Sequence, residues 1–586
     1  MTRWMLWAAA PALAGVFTWS AAGQQVAAES FVLDNGMEFL LVPRRDEPNN
    51  IAAGWLARVG SVNERPGITG LSHFFEHLMF KGTSTIGTTD AARDAALAAR
   101  QHELRHRLNA LIWSEQYERW RRGEVLDPWD PAEFTDEMTA LRAALRAAMD
   151  EQREVVVKDE FSTLYSRIGG SQMNAFTSHD LTFFIVTIPS NKIEFWAWME
   201  SDRLSDAVFR EFYAERDVVH EERRQRIDST PTGEFNEQLD AMFWQSSPYA
   251  FPVIGWPSDL NSYSIEDARR HWNTYYRANN LVGVIVGDFD PAVVKPMLRE
   301  YFGRLEAADA PPPPVVTLEV PQHAEMRLLG SCDCPPQVEI RYHSVPFNHP
   351  DAFALDVLAE ILNGRTGRLY ARMVDGADAI ATNVGAGQDS RRYAGSFSFS
   401  GEARGDTPPE KIEQAWYEEV NRLQNQPVAS FELERVKNRL VANSYRRLRS
   451  NFALMIQLGY FEALGGWEYL NESTAKQAAV TAEDIMRVAR TYLVDTNRTV
   501  AVFTRASGTQ EDADLAQFPP ALRPQIKQML GRLLLIETPG ECDIVLSGLR
   551  SQMDNLPSEH KPALEYVLQR LREHKAALEA DAPEGK

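Results

Sequence analysis

The segment Gly70-Leu-Ser-His73-Phe-Phe-Glu76-His77-Leu-Met-Phe80-Lys-Gly82-Thr83 carries the residues best suited to do chemistry in this chain. Apolar residues at 71, 74, 75, 78, 79 and 80 predict a largely buried helix that Gly82 ends. His73 and His77 are four apart, so both imidazoles leave one helix face, as two ligands of one ion must. Glu76 sits beside His77, placed to reach water at such an ion without ligating it, which is the position of a general base. The plainer alternative is a buried helix whose histidines only satisfy local hydrogen bonds. Two histidines and a carboxylate inside so apolar a helix are costly to bury unless paired, which favours the metal. Cys332, Cys334 and Cys542 are the three cysteines, too few for a disulfide scaffold and wrongly spaced for a thiolate zinc site. A metal here must therefore be held by histidine and carboxylate.

The order H-x-x-E-H is that of the inverted zinc-peptidase motif. Further motifs follow it: Gly169-Gly170-Ser-Gln-Met-Asn174-Ala175-Phe-Thr177-Ser-His-Asp180-Leu-Thr182, then Glu215-Arg-Asp-Val-Val-His-Glu-Glu222, then Gly287-Asp-Phe-Asp290. With these in order, residues 30–507 resemble the M16 family of metallopeptidases, which includes pitrilysin, insulin-degrading and mitochondrial processing peptidases. The resemblance implies a zinc endopeptidase with His73 and His77 as ligands and Glu76 as base. In the family a Glu seven residues after an earlier Glu is the third ligand, and here 215 + 7 = 222. That implies Glu222 as ligand and Glu215 as the carboxylate orienting a histidine. Seven residues make two helical turns, so Glu215 and Glu222 share a face while Glu221 points about 100° away. The resemblance also implies an edge strand that takes an extended peptide, with Asn174, Ala175, Phe176 and Thr177 as substrate-binding residues. Phe184 stands where relatives commonly have Tyr.

Two departures from the family pattern matter. Active members also use an Arg and a Tyr, seven residues apart, from a second domain. The matching positions here are Val374 and Ala381, and neither Arg372 nor Tyr370 has a partner at that spacing. An oxyanion donor is worth roughly 100- to 1000-fold in turnover. The resemblance therefore implies the zinc-bearing member of a two-chain enzyme, whose partner is a second M16-like subunit carrying Arg and Tyr. The other departure is length: His77 and Glu222 lie 222 − 77 = 145 residues apart, a span swollen by residues 91–157. That stretch is rich in Ala, Arg, Glu and Leu and predicts a helical hairpin turning at 123–131. Its charge reads first as a solvated face, and a gate over the site or a docking surface is the alternative role.

Strands alternating with helical segments predict an α+β fold with helices packed on one face of each sheet, and the resemblance implies two duplicated M16-type domains with antiparallel-rich sheets. The duplication is legible: SIEDARRHWNTYYRANN from Ser264 matches TAEDIMRVARTYLVDTN from Thr481 at an offset of 481 − 264 = 217. Glu266/Glu483, Asp267/Asp484, Arg270/Arg487, Thr274/Thr491, Tyr275/Tyr492 and Asn280/Asn497 are identical. Each copy predicts a capped helix followed by a β-branched strand. Strands are also predicted at Glu38–Pro43, 182–188 and 282–286. Residues 29–310 form the expected N-terminal catalytic domain and 315–507 the C-terminal domain. The prolines 311–314 link them, and 508–586 form a helical tail.

Residues 1–28 predict a secretory signal: Arg3, an apolar run from Trp4 to Phe17, and small-residue cleavage sites at Ser20-Ala21-Ala22 and Val26-Ala27-Ala28. The run is shorter than the ~20 residues of a membrane span, so the mature protein is expected in a Gram-negative periplasm without an integral span. The 586 residues, 44% apolar and 24% charged, fit globular domains. A net charge of 61 − 82 = −21 argues against nucleic acid or an anionic membrane as partner. Three functions follow: a zinc endopeptidase acting on flexible peptides with a partner subunit, a zinc-bearing peptide-binding subunit without turnover, or a structural subunit. Intact Glu76 and complete ligands favour the first.

Overall fold

The computed structural model describes residues 25–505, apart from 333 and 406, and most of 515–581. The signal expected over 1–28 lies outside the described residues except for its last four. Two compact units form, one ending at Thr504 and one running from Arg505 to Lys586. Among the described residues no helix is long and apolar enough to cross a membrane.

The first unit is built on two sheets. Its N-terminal half contains β1 (Glu29–Val32), β2 (Glu38–Pro43), β3 (Asn50–Ala57), β4 (Ser171–Thr177), β5 (Thr182–Pro189) and β6 (Leu281–Gly287), ordered β1-β2-β6-β3-β5-β4. Its C-terminal half contains β7 (Met326–Cys332), β8 (Gln337–Ser344), β9 (Ala381–Ser390), β10 (Gly395–Ala403) and β11 (Arg498–Arg505), ordered β7-β11-β8-β10-β9. In the first sheet β2 and β6 are parallel, while β3 runs antiparallel to both β5 and β6. Central strands such as β3 and β6 are buried on both faces, which is why they read as unbroken apolar runs.

The duplication holds bond for bond. Ser264 and Thr481 both close a capping box, with Asp267 and Asp484. Thr274 and Thr491 donate to the carbonyls of Arg270 and Arg487, and Asn280 and Asn497 to those of Tyr275 and Tyr492. Identical residues therefore do identical local work in the two halves.

Helices cover one face of the first sheet, packing Phe74, Phe75, Trp196 and Val219 onto Phe39, Trp55 and Ile285. The opposite face is covered from the other half of the unit. Leu454, Met455, Leu458 and Ala463 of the helix Asn451–Leu464 pack on Leu40, Leu56, Phe183 and Val284. Gly459 makes the approach possible, since a Cβ there would lie 2.4 Å from the Phe183 ring. The exchange is reciprocal: the helix Gly233–Phe243 sets Phe235 against Phe503, stacks Phe243 on His343, and pairs Asp240 with Arg341 of the second sheet. The two halves thus embrace through one helix each.

The hairpin at 91–157 forms as predicted. Helix Ala91–Leu111 continues through a π turn to Arg121, and Asp136–Arg153 returns antiparallel to it. Its base is fixed rather than hinged. Arg210 is fully buried and donates through Nε to Asp94 Oδ2 of the hairpin at 2.6 Å. Its other nitrogens donate to the carbonyls of Lys81, Thr83 and Ile86, the loop that leaves the His73 helix. Gln152 donates to the second oxygen of Asp94, and Gln101 to Gln152. A charge pair this deep, with its hydrogen bonds satisfied, ties the base of the hairpin to the loop that leaves the His73 helix.

The second unit gathers the helices Arg523–Leu533, Pro539–Gln552 and Lys561–Asp581 around small apolar cores, one holding Phe518, Ile526, Leu530 and Val567. Cys332 and Cys334 are disulfide-bonded, and Cys542 is free and buried.

Candidate metal centre and active site

The predicted helix is Leu71–Leu78, ending earlier than the position of Gly82, which supplies a left-handed turn at φ +84°. Its start is held by residues the sequence did not single out. Glu64 is buried and accepts from the backbone N–H groups of Gly70 and Ser72, both at 2.6 Å, satisfying amides the helix leaves free. Burial raises the Glu64 carboxyl to about 7, against those hydrogen bonds, which lower it. Asp259 accepts from Gly67 and from both the N–H and the hydroxyl of Thr69. At the other end Arg203 donates to the Met79 carbonyl while lying over the Trp55 and Phe184 rings. Phe184 is thus a core residue stacked on Trp55, with ring centroids 4.3 Å apart.

On this helix His73 and His77 face the helix Phe212–Arg223, which carries Glu215 and Glu222. Glu222 Oε2 lies 3.7 Å from His73 Nε2 and 3.3 Å from His77 Nε2. Among the described residues this is the one group of three or more His, Cys, Asp or Glu able to share an ion. The set fits zinc. Tetrahedral bonds of about 2.0–2.1 Å put neighbouring ligand atoms about 3.3 Å apart, and three ligands leave a position open. Glu222 Oε2 is moreover buried without a hydrogen-bond partner, a cost that a cation would relieve. Its other oxygen, Oε1, pairs with Arg226 at 2.5 Å, four residues on, where the helix loosens into a π turn. Glu221 points away and pairs with Arg224, as the helix geometry requires.

Behind the histidines runs a chain of charges. His77 Nδ1 meets Glu215 Oε1 at 2.8 Å, and Glu215 Oε2 meets Lys81 Nζ at 2.5 Å. Burial disfavours a charged His77, but Glu215 and Glu222 outweigh it and raise the imidazole to about 9. His73 moves the other way, lowered to about 4 by burial and by the charge of His77.

Glu76 sits beside this cluster, its carboxyl raised by burial. Thr177 donates its hydroxyl to Glu76 Oε2 at 2.7 Å. Thr177, expected to bind substrate, therefore also orients the expected base. Strand β4 is the sheet edge, as the motif at 169–182 implies. Ala175 turns into the core and the Phe176 ring packs on Phe183, so the strand meets the groove chiefly as backbone and Asn174. That groove, of about 1020 Å³, runs from Asn174 past His73, Glu76 and Glu222 to Tyr249. A second cavity of about 690 Å³ opens on the other side of Glu76 and His77, walled by Phe80, Phe161 and, from the hairpin, Val157.

Beneath the helix, His271 is buried against Phe75, with ring centroids 5.0 Å apart and Nε2 unpartnered. Burial lowers it to about 3. Such a group stabilises the fold fully above its unfolded pKa of about 6.5 and loses that contribution as pH falls toward 3, at up to about 1.4 kcal/mol per pH unit. Equilibrium unfolding in urea should therefore show stability falling below pH 6.5, with a shallower fall in His271→Met. Equal slopes for the two proteins would contradict this.

Known proteins match most of this chain. The family described as "Insulinase (Peptidase family M16)" matches residues 42–101, and "Peptidase M16 inactive domain" matches 262–440. The chain belongs to the M16 peptidase family. The first match stops inside the hairpin, and Glu222 lies between the two. The "Zinc protease PqqE" of Helicobacter pylori is 24% identical over 484 residues, covering 80% of this chain and 91% of that protein. A crystal structure of a protease from Helicobacter pylori shares the fold with a TM-score of 0.66 at 20% identity, covering 82% of this chain and 100% of that one. The periplasmic protease PqqL from Escherichia coli superposes with a TM-score of 0.61 at 16% identity, over 85% of this chain and 49% of that one.

Proposed function

We propose that this M16 chain is an exported zinc-dependent endopeptidase that cleaves flexible or unfolded peptides, completed by a partner subunit. The observation that carries the reading is the meeting of His73, His77 and Glu222 around one point, with Glu76 beside it and an open strand edge alongside. His73, His77 and Glu222 would hold the ion. Zinc bound there supplies Lewis acidity, polarising the scissile carbonyl and acidifying water. Glu76, one oxygen held by Thr177, takes a proton from water with the other and returns it to the leaving amine. Glu215, itself held by Lys81, fixes the tautomer and ring orientation of His77. The peptide adds as a strand to β4 around Asn174 and Ala175, a mode that excludes compact folded substrates.

Glu215→Gln should weaken zinc binding about 10- to 100-fold, the usual cost of losing a carboxylate behind a metal-bound histidine. Competition against a chelating dye would measure it, and unchanged affinity would remove Glu215 from this role. Partner dependence rests on Val374 and Ala381, which offer no donor at the positions where the family carries Arg and Tyr. A pool of flexible peptides incubated with the zinc-loaded chain, alone and with an Arg- and Tyr-bearing M16 subunit, tests it. Efficient cleavage by the chain alone would refute partner dependence. No cleavage in either mixture, with zinc bound, would favour the peptide-binding reading instead.

Export is supported by the signal-like residues 1–28 and by the description of one structural relative as periplasmic. Of the two cleavage sites we favour that after Ala22. Val26 is buried and exchanges hydrogen bonds with the Asn471 side chain through both its backbone groups. The intact mass of the exported protein should begin at Gly23, whereas a start at Glu29 would discard those contacts and refute the choice.

A further inference from the structure

Two arginines from different elements bring their charges to one buried point. Arg105 lies on the hairpin helix Ala91–Leu111, and Arg216 on the helix Phe212–Arg223 that also carries Glu215 and Glu222. Both converge on the carbonyl of Asn261, in the helix Pro257–Ser262. Arg105 donates to it through Nη2 at 2.5 Å and Arg216 through Nη1 at 3.5 Å. Each arginine is only 7% exposed. The guanidinium of Arg105 lies over the Trp129 ring and that of Arg216 over the Tyr213 ring, both 5.7 Å from the ring centre. Like charges held together away from water repel and lose hydration, so the arrangement is costly unless something compensates it.

The compensation on hand is incomplete. Arg105 leaves its Nε buried without a partner and, among the described residues, pairs with no carboxylate. Arg216 also leaves its Nε buried without a partner, and its Nη2 meets Asp217 at 3.2 Å, a side chain 54% exposed. Glu266 is turned to His102 at 2.8 Å, and Arg142 adds a further positive charge to the field at Arg105. Burial and the charge of Arg216 push the Arg105 guanidinium well below its ordinary range. Asn109, one turn after Arg105, and His220, one turn after Arg216, each leave a polar atom buried without a partner, and neither carries a negative charge. Arg210 is the contrast: equally deep, it has a carboxylate and three carbonyls, where Arg105 has one carbonyl.

Water could satisfy the open N–H groups but would leave the two charges together, whereas an anion answers both needs. The planar fork of a guanidinium matches two oxygens of one tetrahedral oxyanion. We propose that Arg105 and Arg216 bind a small oxyanion of the phosphate or sulfate class in the seam between the hairpin and the helix Phe212–Arg223. Half-buried Asn109 and Asn261 and exposed Asp217 border the seam, which gives the ion a way in from solvent. Once bound, the ion would tie the hairpin to the helix of Glu215 and Glu222 by charge as well as by packing. The site uses no metal ligand and stands independently of the peptidase reading.

Calorimetric titration of the zinc-loaded full chain with inorganic phosphate and with sodium sulfate tests this, with sodium chloride at matched ionic strength as the control. Saturable binding of one oxyanion per chain is expected, weakened at least about tenfold in Arg105→Gln and in Arg216→Gln. Millimolar phosphate should also raise the melting temperature of the parent chain and leave that of either variant where it was. Arg216→Lys, which keeps the charge but not the fork, covers the case in which a glutamine variant fails to fold, and it too should bind more weakly than the parent. Glu76→Gln should bind phosphate as the parent does, which keeps this result separate from the fate of the peptidase reading. No saturable binding of either oxyanion at millimolar concentration would overturn the proposal. So would an equal response to chloride, or undiminished binding by the arginine variants, the outcome expected of an oxyanion held on zinc instead.

Discussion

Glu76→Gln is expected to abolish peptide hydrolysis while leaving the metal ligands, the fold and the melting temperature as they are. The amide keeps the shape of the carboxylate and can still contact Thr177, but it cannot accept a proton from water. Loss of a positioned general base costs about 10²- to 10⁴-fold in rate. Glu76 is half-buried with its carboxyl raised, and no neighbouring carboxylate stands ready to replace it: Glu222 is turned to the histidines and Glu215 to Lys81. Zinc content by atomic absorption, read beside the cleavage rate, separates this outcome from loss of metal. Undiminished cleavage would remove Glu76 from the reaction.

Arg210→Met should destabilise the first unit more than any exposed substitution, by about 3–5 kcal/mol, because it leaves a buried charge without its partner. Asp94 would keep one oxygen on Gln152 and lose its partner Arg210, and the carbonyls of Lys81 and Thr83 would lose their donor while that of Ile86 kept the Thr83 N–H. Replacing Asp94 by Leu in the same chain should restore part of the loss, since an apolar pair of similar volume removes the unpaired charge. Urea midpoints of the single and double variants measure both. Because that loop leaves the His73 helix, the single variant should also bind zinc less tightly. A shift within the range of surface substitutions would show that the hairpin is dispensable to the site.

The sequence reached the chemistry more readily than its supports. His73, Glu76 and His77 were legible because helical spacing places them together and because the surrounding helix is too apolar to carry them idly. Glu222 was legible only through resemblance, since the residues 221–224 read alone as a solvated charge run. The edge position of β4 and the capped helices at 265 and 482 also followed from motif and repeat. Glu64 was not legible: nothing local separates a carboxylate that caps a buried helix from one in a surface loop. Arg210 and Asp94 lie 116 residues apart, and only folding reveals that both are buried. The helix Asn451–Leu464 is apolar nearly all round, and nothing in its own residues says that it crosses to the other sheet.

That crossing sets a timetable for synthesis. When β6 is complete at Gly287, every strand of the first sheet has been made, yet the helix that covers its second face ends only at Leu464, 464 − 287 = 177 residues later. At a pace of about 5–20 residues per second, a sheet face bearing Leu40, Leu56, Phe183 and Val284 stays bare for roughly 10–35 s if it folds as it emerges. A chain of this architecture gains from not folding until it is whole. Truncations placed at the proline run would make that transient exposure permanent.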